Sequence, residues 1–323
     1  MGKVGIGELR SSFQERKQRI ALCSIARLSE ISEEMQARHA SGEISPELFH
    51  KYLEGFTYAP AESMGDAKSV LIVATPIGRT IVELDLVNGP ITLFIPPTYG
   101  AEAIIAEAEA LLDEKLGERG SAYAYAWLPL KPLAARTGLA RYGRDNLLRF
   151  EGAGSFVRLD SWWTKLDADG EAWGPPRDLE RCASCGACVA ACPNGCFATG
   201  RFLVDATKCL SFLNEGSAPF PTWVDIRSHN AVVGCLRCQD ACPENQNVPG
   251  QDIYRRFVLD REASELLLAG RPVAELPALA ARAVRAAEMV DREVNLARNL
   301  QALIAAKGRV LDSTAQDPSL SEQ

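Results

Sequence analysis

The chain has 323 residues, 47% of them hydrophobic and 24% charged, so it is long enough for one large domain or two to three smaller ones and too apolar for wholesale disorder. Its 35 basic and 42 acidic residues give a net charge of −7, which argues against a general nucleic-acid binder or a polybasic membrane protein, and no apolar run reaches the roughly 18 residues of a membrane span. Ten cysteines are too few for a small disulfide scaffold, yet nine of them crowd between Cys182 and Cys242, which reads as metal ligation in a protein that keeps its thiols reduced.

The charged N-terminus lacks an apolar signal core, so a cytoplasmic location is expected. Ile20, Ile25, Leu28 and Ile31 are spaced as on one amphipathic helix within residues 7–40. Ser45-Pro46-Glu47 has the form of a helix start, and that helix carries Leu48, Phe49, Tyr52 and Leu53. Residues 68–76 form a short β-branched apolar run closed by Pro76 and predict a buried strand; Ile91–Ile95 predicts a second. Residues 101–116 predict a helix stopped by Gly117, and residues 123–130 a third strand. Strand, strand, helix and strand in succession suggest an α/β layer. A further strand is expected near residues 155–159, followed by a long connection. Beyond Asp252 the chain turns helical, in about three helices broken at Gly270-Arg271-Pro272 and around Asp291, with Leu296, Leu300, Leu303 and Ile304 as an apolar stripe. From Asp312 a polar, disordered tail is expected.

The cysteines carry the clearest chemistry. Cys182, Cys185, Cys188 and Cys192-Pro193 form C-x2-C-x2-C-x3-C-P, the bacterial run for a [4Fe–4S] cluster whose fourth cysteine serves the other cluster of a pair. Three thiolates at this spacing reach three irons from one tight loop, and the fourth, leading into a helix, points away. A second run, Cys235, Cys238 and Cys242-Pro243, lacks a first cysteine, and Cys209 is the natural supplier. The crosswise rule assigns Cys182, Cys185, Cys188 and Cys242 to one cluster, and Cys192, Cys209, Cys235 and Cys238 to the other. Cys23 and Cys196 are left over, and Cys196 competes with Cys209 for the eighth place. Structural zinc also uses C-x2-C pairs, but the three-cysteine run and both Cys-Pro endings favour two clusters.

Leu128-Pro129-Leu130-Lys131, residues 135–146 (Ala-Arg-Thr-Gly-Leu-Ala-Arg-Tyr-Gly-Arg-Asp-Asn) and Gly154-Ser155-Phe156, followed by Cys209-Leu-Ser-Phe-Leu-Asn-Glu215 and Cys-Pro-Glu-Asn245, resemble the epoxyqueuosine reductase family, itself related to reductive dehalogenases. The resemblance covers roughly residues 66–250. It implies an α+β chain in which an α/β corrinoid-type catalytic domain precedes a two-[4Fe–4S] ferredoxin-like domain, with helical extensions at both ends. The expected division is 1–60, 61–175, 176–250, 251–310 and a tail at 311–323. The resemblance also implies electron flow through both clusters to a cobalamin-type cofactor, a low-potential donor such as ferredoxin or flavodoxin, and a small or nucleoside-like substrate. The chain departs from the family where a catalytic Asp precedes a Pro: Ala126-Trp127-Leu128-Pro129 stands there. It departs again at Ala140-Arg141-Tyr142-Gly143-Arg144.

Candidate proton donors are Tyr142, Asp145 and Tyr99, because electrons alone leave a reduced substrate with uncompensated negative charge. Candidate cofactor contacts are Lys131, Gly138, Arg141, Gly143, Arg144, Ser155 and Asn214, with Gly154 as a further place of close approach to a flat ring. An electron-transfer or activator protein without its own substrate, and a flavin reductase on the same scaffold, are the competing readings.

Overall fold

The computed structural model describes residues 5–96, 102–198, 201–248, 252–287 and 293–315. Helix α1 (Ile6–Glu15) buries Leu9 and Phe13 and stops where Lys17 takes a φ of 60°. Strand β1 (Arg19–Ser24) follows. The single helix expected through Ile20 and Ile25 is therefore broken. Left-handed backbone at Lys17 ends the first helix, Ile20 to Cys23 are buried in succession as a strand, and Ile25 begins a 3-10 turn capped by the Ser24 hydroxyl. Helix α2 (Leu28–Ala40) keeps the rest of the pattern, burying Leu28 and Ile31. At α3 (Pro46–Leu48) the Ser45 hydroxyl accepts from Leu48 N at 3.3 Å, and the chain widens into a π-turn over Phe49–Leu53.

Strands β2 (Ser69–Pro76), β3 (Arg79–Leu84) and β4 (Ile91–Ile95) lead to α4 (Glu102–Leu116), which buries Ile104, Ala108, Leu111 and Leu112 and ends at Gly117 with a φ of 109°. The next strand, β5 (Tyr123–Tyr125), is shorter than expected. Pro129 has no N–H to continue a ladder, and it caps α5 (Leu130–Arg136) instead. The two-residue strands β6 (Arg141–Tyr142) and β7 (Leu148–Arg149) pair with each other, and β8 (Val157–Thr164) runs five residues past its expected end.

The cysteine segment holds α6 (Cys182–Cys185), α7 (Ala187–Ala191), α8 (Leu210–Glu215) and α9 (Arg237–Asp240). Residues expected to open the C-terminal helices form β9 (Ile253–Leu259) before α10 (Arg261–Leu268), α11 (Ala278–Ala286) and α12 (Glu293–Ala315). Gly270 makes the expected break with a φ of 73°. The break around Asp291 lies outside the described residues. Helix α12 continues to Ala315, into the segment expected as a tail, because no proline interrupts it.

The main sheet has the order β1-β2-β8-β5 and is antiparallel throughout. Strand β2 is interior and covered on both faces. Leu71 and Val73 pack with Trp162, Leu9 and Phe13, while Val70, Ile72 and Ala74 pack with Trp163 and the α5 residues Leu133 and Ala134. The expected single α/β layer does not form. Strands β3 and β4 leave for a second sheet, β4-β3-β9, in which β3 and β9 run parallel. That sheet packs with Val232, Val233, Leu267, Leu296, Leu300 and Leu303. The chain is thus mixed α+β. Among the described residues no helix is long and apolar enough to cross a membrane.

His229 is buried beside Phe220, with ring centroids 4.4 Å apart, and its Nδ1 has no partner among the described residues. Burial, and then the Arg298 charge, hold its pKa down at about 4. The folded state therefore excludes a proton that the unfolded chain binds near pH 6.5. Stability from this site is present above that pH and is lost as pH falls toward 4, with about 2 kcal/mol gone by pH 5. His229→Phe should flatten the stability difference between pH 7 and pH 5 measured by urea unfolding; an unchanged acid slope would contradict this.

Candidate functional site

Helix α6 ends on Gly186, whose φ of 67° is a left-handed conformation that glycine adopts freely. The chain reverses there and α7 begins at once, so Cys182, Cys185 and Cys188 lie around one turn. Helices α7 and α9 pack together, which brings the second run beside the first. Cys188 lies near Cys182 and Cys242. Cys238 lies near Cys235 and Cys209. Cys192 meets Cys209 through Cys196, a buried residue whose single S–H can serve either neighbouring sulfur; its proximity is the first cause that lowers both thiols, Cys192 to about 5. Cys196 and Cys209 therefore both stand next to Cys192. Among the described residues no three His, Cys, Asp or Glu side chains close on a single metal ion. Cys185 is exposed and Cys242 is buried. Burial pushes the Cys188 thiol up to about 11 and raises Cys235 and Cys238 as well. A thiolate at these places calls for a cationic partner, the condition that cluster iron meets.

Polar side chains frame the thiols. Arg149 Nη2 donates to Cys242 Sγ at 3.2 Å and to Asp145 Oδ2 at 2.7 Å. Asn230 Nδ2 donates to Cys235 Sγ at 3.2 Å, and its Oδ1 accepts from Leu236 N. Asn245 is fully buried: its Oδ1 accepts from Ser155 N at 2.8 Å, and its Nδ2 donates to Ser155 Oγ and to Gln239 O. Gln239 also donates to Ser155 Oγ at 2.9 Å. Arg149, Asn230, Gln239 and Asn245 were not singled out for roles from sequence. The local signals were the Gly-Cys-x-x-Cys-Gln block ending at Gln239, the Cys-Pro-Glu-Asn motif for Asn245 and the i,i+4 spacing of Asp145 and Arg149.

The expected proton donors are not equally free. The Asp145 carboxylate is committed to Arg149 and, through Oδ1, to Leu147 N at 3.2 Å. Tyr142 is buried in the core, edge-on to Phe202 at 5.2 Å, and burial raises its phenol. Tyr99 lies outside the described residues. Ala126 is also buried, and its N–H and C=O are both bonded to Ser161 on β8. The stretch Ala126-Trp127-Leu128-Pro129 itself carries no acid.

The expected cofactor residues do not form one cradle. Gly138 and Arg141 border a cavity of about 320 Å³ beside Trp173, and Gly138 is the turn glycine that ends α5, with a φ of 73° and open space around it. Arg144 borders a second cavity of about 480 Å³ that also touches Cys182 and Phe202. Gly143 borders this same cavity, and it also makes room for protein: a Cβ there would lie 2.8 Å from Asp145 Oδ1 and 3.2 Å from the Arg149 guanidinium carbon. Gly154 likewise makes room for Asn245. Ser155 is consumed by the Asn245 network. Lys131 and Asn214 remain. Solvent reaches Lys131, but surrounding protein lowers its ammonium pKa against the pull of Asp145 and Cys209, and Nζ donates only weakly, to Asn146 O at 3.3 Å. Asn214 is buried on α8; its Nδ2 donates to Gly234 O at 2.7 Å, while its Oδ1 has no partner among the described residues.

Residues 181–245 match the family model of the 4Fe-4S double cluster binding domain. The epoxyqueuosine reductase of Francisella cf. novicida (strain Fx1) is 31% identical over 144 residues, 42% of this chain and 39% of that protein. The matched segment thus spans about two fifths of the relative's length. The solved epoxyqueuosine reductase of Streptococcus thermophilus superposes with a TM-score of 0.59 at 18% identity, over 97% of this chain and 86% of the other. An epoxyqueuosine reductase crystallised with an epoxyqueuosine-modified tRNA stem loop gives a TM-score of 0.57 at 18% identity, over 94% and 82%. The chain resembles epoxyqueuosine reductases in fold and carries a double 4Fe-4S cluster binding domain.

Proposed function

We propose that this chain is an iron–sulfur reductase that takes electrons from a low-potential donor such as ferredoxin or flavodoxin, passes them through two [4Fe–4S] clusters and delivers them to a cobalamin-type cofactor acting on a small or nucleoside-like substrate. The observation that carries this reading is the crosswise grouping of the thiols. Cys188 lies beside Cys182 and Cys242, and Cys238 beside Cys235 and Cys209, although each group draws on distant stretches of the chain. The donor set fits the clusters: Cys182, Cys185, Cys188 and Cys242 would hold one, and Cys192, Cys209, Cys235 and Cys238 the other. Clusters of this kind supply one-electron chemistry at potentials set by charge, hydrogen bonds and exposure. The exposed Cys185 makes the first set the entry side for a protein donor.

For the corrinoid, the fit rests on Lys131, near the second set, which solvent reaches and which offers a cation with only a weak protein partner; Asn214, 0% exposed, is enclosed by protein. A corrinoid supplies cobalt redox chemistry when bound. The chain's own contribution to a reduction is a proton, and Lys131 Nζ is placed to hold it. Ala126 has no acid, Asp145 is committed to Arg149 and Tyr142 is packed in the core. One related reductase is known with a tRNA stem loop. A net charge of −7 weighs against extensive phosphate contacts here and favours a smaller substrate. The missing acid at Ala126 also supports a second reading, an electron-transfer or activator protein that forms a stable complex with another enzyme.

The test is anaerobic purification followed by iron and cobalt analysis and an absorbance titration with cobalamin. The expected result is about eight irons per chain, as two four-iron clusters require, and a corrinoid spectral change. Full iron with no response to cobalamin would shift the case to the electron-transfer reading. Iron far below this amount, or zinc in its place, would remove the clusters.

A further inference from the structure

The two thiol sets receive unequal hydrogen bonds. Cys242 accepts from a guanidinium, Arg149 Nη2 at 3.2 Å. Cys235 accepts from a neutral carboxamide, Asn230 Nδ2, at the same distance. The Arg149 side chain is 4% exposed and its partner Asp145 1% exposed, with 2.7 Å between Nη2 and Oδ2. Arg149 Nη1 is held as well, donating to Leu147 O at 3.1 Å. The guanidinium is therefore fixed at three points, out of reach of screening ions. The neighbouring backbone is shaped around the pair, because any side chain at Gly143 would collide with both partners.

We infer that Arg149 is a positioning residue that raises the reduction potential of the first cluster through its N–H···S bond to Cys242, with Asp145 as the opposing charge that fixes the fork. The inference rests on the proposed assignment of Cys242 to the set of Cys182, Cys185 and Cys188. Adding one electron makes the ligand sulfurs more negative, so a charged donor stabilises the reduced state more than the oxidised one. Burial preserves that difference, because little water competes for the sulfur. Asp145 also lies near Cys188 and Cys238, where its negative charge disfavours added electrons. The two members of one ion pair therefore act with opposite sign on the first cluster, through Cys242 and Cys188, and Asp145 reaches the second as well, through Cys238.

The test uses the full-length, cluster-replete protein, with iron analysis and a spectroscopically monitored redox titration. Arg149→Gln should keep its iron and lower the midpoint of one cluster by about tenfold in the reduced-to-oxidised ratio at fixed potential, or about 59 mV for a one-electron couple. Asp145→Asn should raise the same midpoint. A merely structural role would move both variants in one direction or neither, and either outcome with iron retained overturns the inference. If Arg149→Gln loses iron because it leaves a lone buried carboxylate, the double variant Asp145→Asn with Arg149→Gln removes both charges. Its midpoint should lie below that of Asp145→Asn alone, and equal midpoints overturn the inference. A wild-type protein without two cluster signals would instead remove the underlying assignment, and this inference with it.

Discussion

Serine at both Cys182 and Cys242 is expected to leave about half of the cluster iron in place, the same loss as serine at Cys182 alone. In sequence the two residues belong to different runs. If each run held its own cluster, the double variant would lose both. The structure brings Cys188 near Cys182 and Cys242 together, because α7 and α9 pack side by side and Cys242 follows directly on α9. Two lesions in one crosswise set should therefore damage one cluster, and Cys182→Ser combined with Cys235→Ser should abolish both. Iron analysis and the visible spectrum of the anaerobically purified variants distinguish the two arrangements. Near-complete iron loss in the Cys182 and Cys242 double variant would sink the assignment. Reductive turnover should fall to background in either double variant, because the path from the exposed Cys185 side is cut. The same series decides the eighth ligand. Cys209→Ser should lose the other half of the iron, whereas Cys196→Ser should retain both clusters, because the crosswise rule fills both sets without Cys196.

The spacing of the cysteines was legible in sequence because ligand geometry for a cluster is local: one loop supplies three thiolates whatever surrounds it. Strand β2 and helix α4 were legible for a similar reason, since β2 is one unbroken β-branched apolar run and α4 keeps a helical period over its length. The pairing of β3 with β9 was not, because a parallel contact between residues 79–84 and 253–259 leaves no local trace. Strand β1 was hidden by coincidence. The positions of Ile20, Ile25, Leu28 and Ile31 mimic a helical stripe, and only the left-handed Lys17 and the pairing of Ile20 with Val73 reveal the strand. At the site, sequence reading found the special glycines, and the fold adds protein neighbours that no local pattern announces. Gly143 clears space for the Asp145–Arg149 pair and Gly154 for Asn245. Arg149 was hard to read because arginines are mostly exposed, and although Asp145 stands only four residues away, the thiol of Cys242 is placed beside it by the tertiary fold alone.

Alanine at Gly154 is expected to destabilise the protein by about 3–5 kcal/mol and to release iron from the set that contains Cys242. Two costs add. Gly154 has a φ of 60°, where a Cβ meets backbone strain of roughly 1–2 kcal/mol. That Cβ would also lie 2.3 Å from Asn245 Oδ1 and 2.9 Å from Glu244 O. Asn245 has no room to yield. It is fully buried, its side chain bonds to Ser155 and Gln239, and its N–H donates to Cys242 O at 3.0 Å. Displacing it leaves buried polar groups unpaired at about 1–3 kcal/mol each and pulls on the loop that carries the Cys242 thiol. Gly152 is the control. It shares the same turn and has a φ of 74°, but no atom lies within 4 Å of its would-be Cβ. Gly152→Ala should therefore cost only the conformational strain and keep its iron. Equal urea midpoints and equal iron for the two variants would show that the contact with Asn245 does not join the turn between β7 and β8 to the cluster loop.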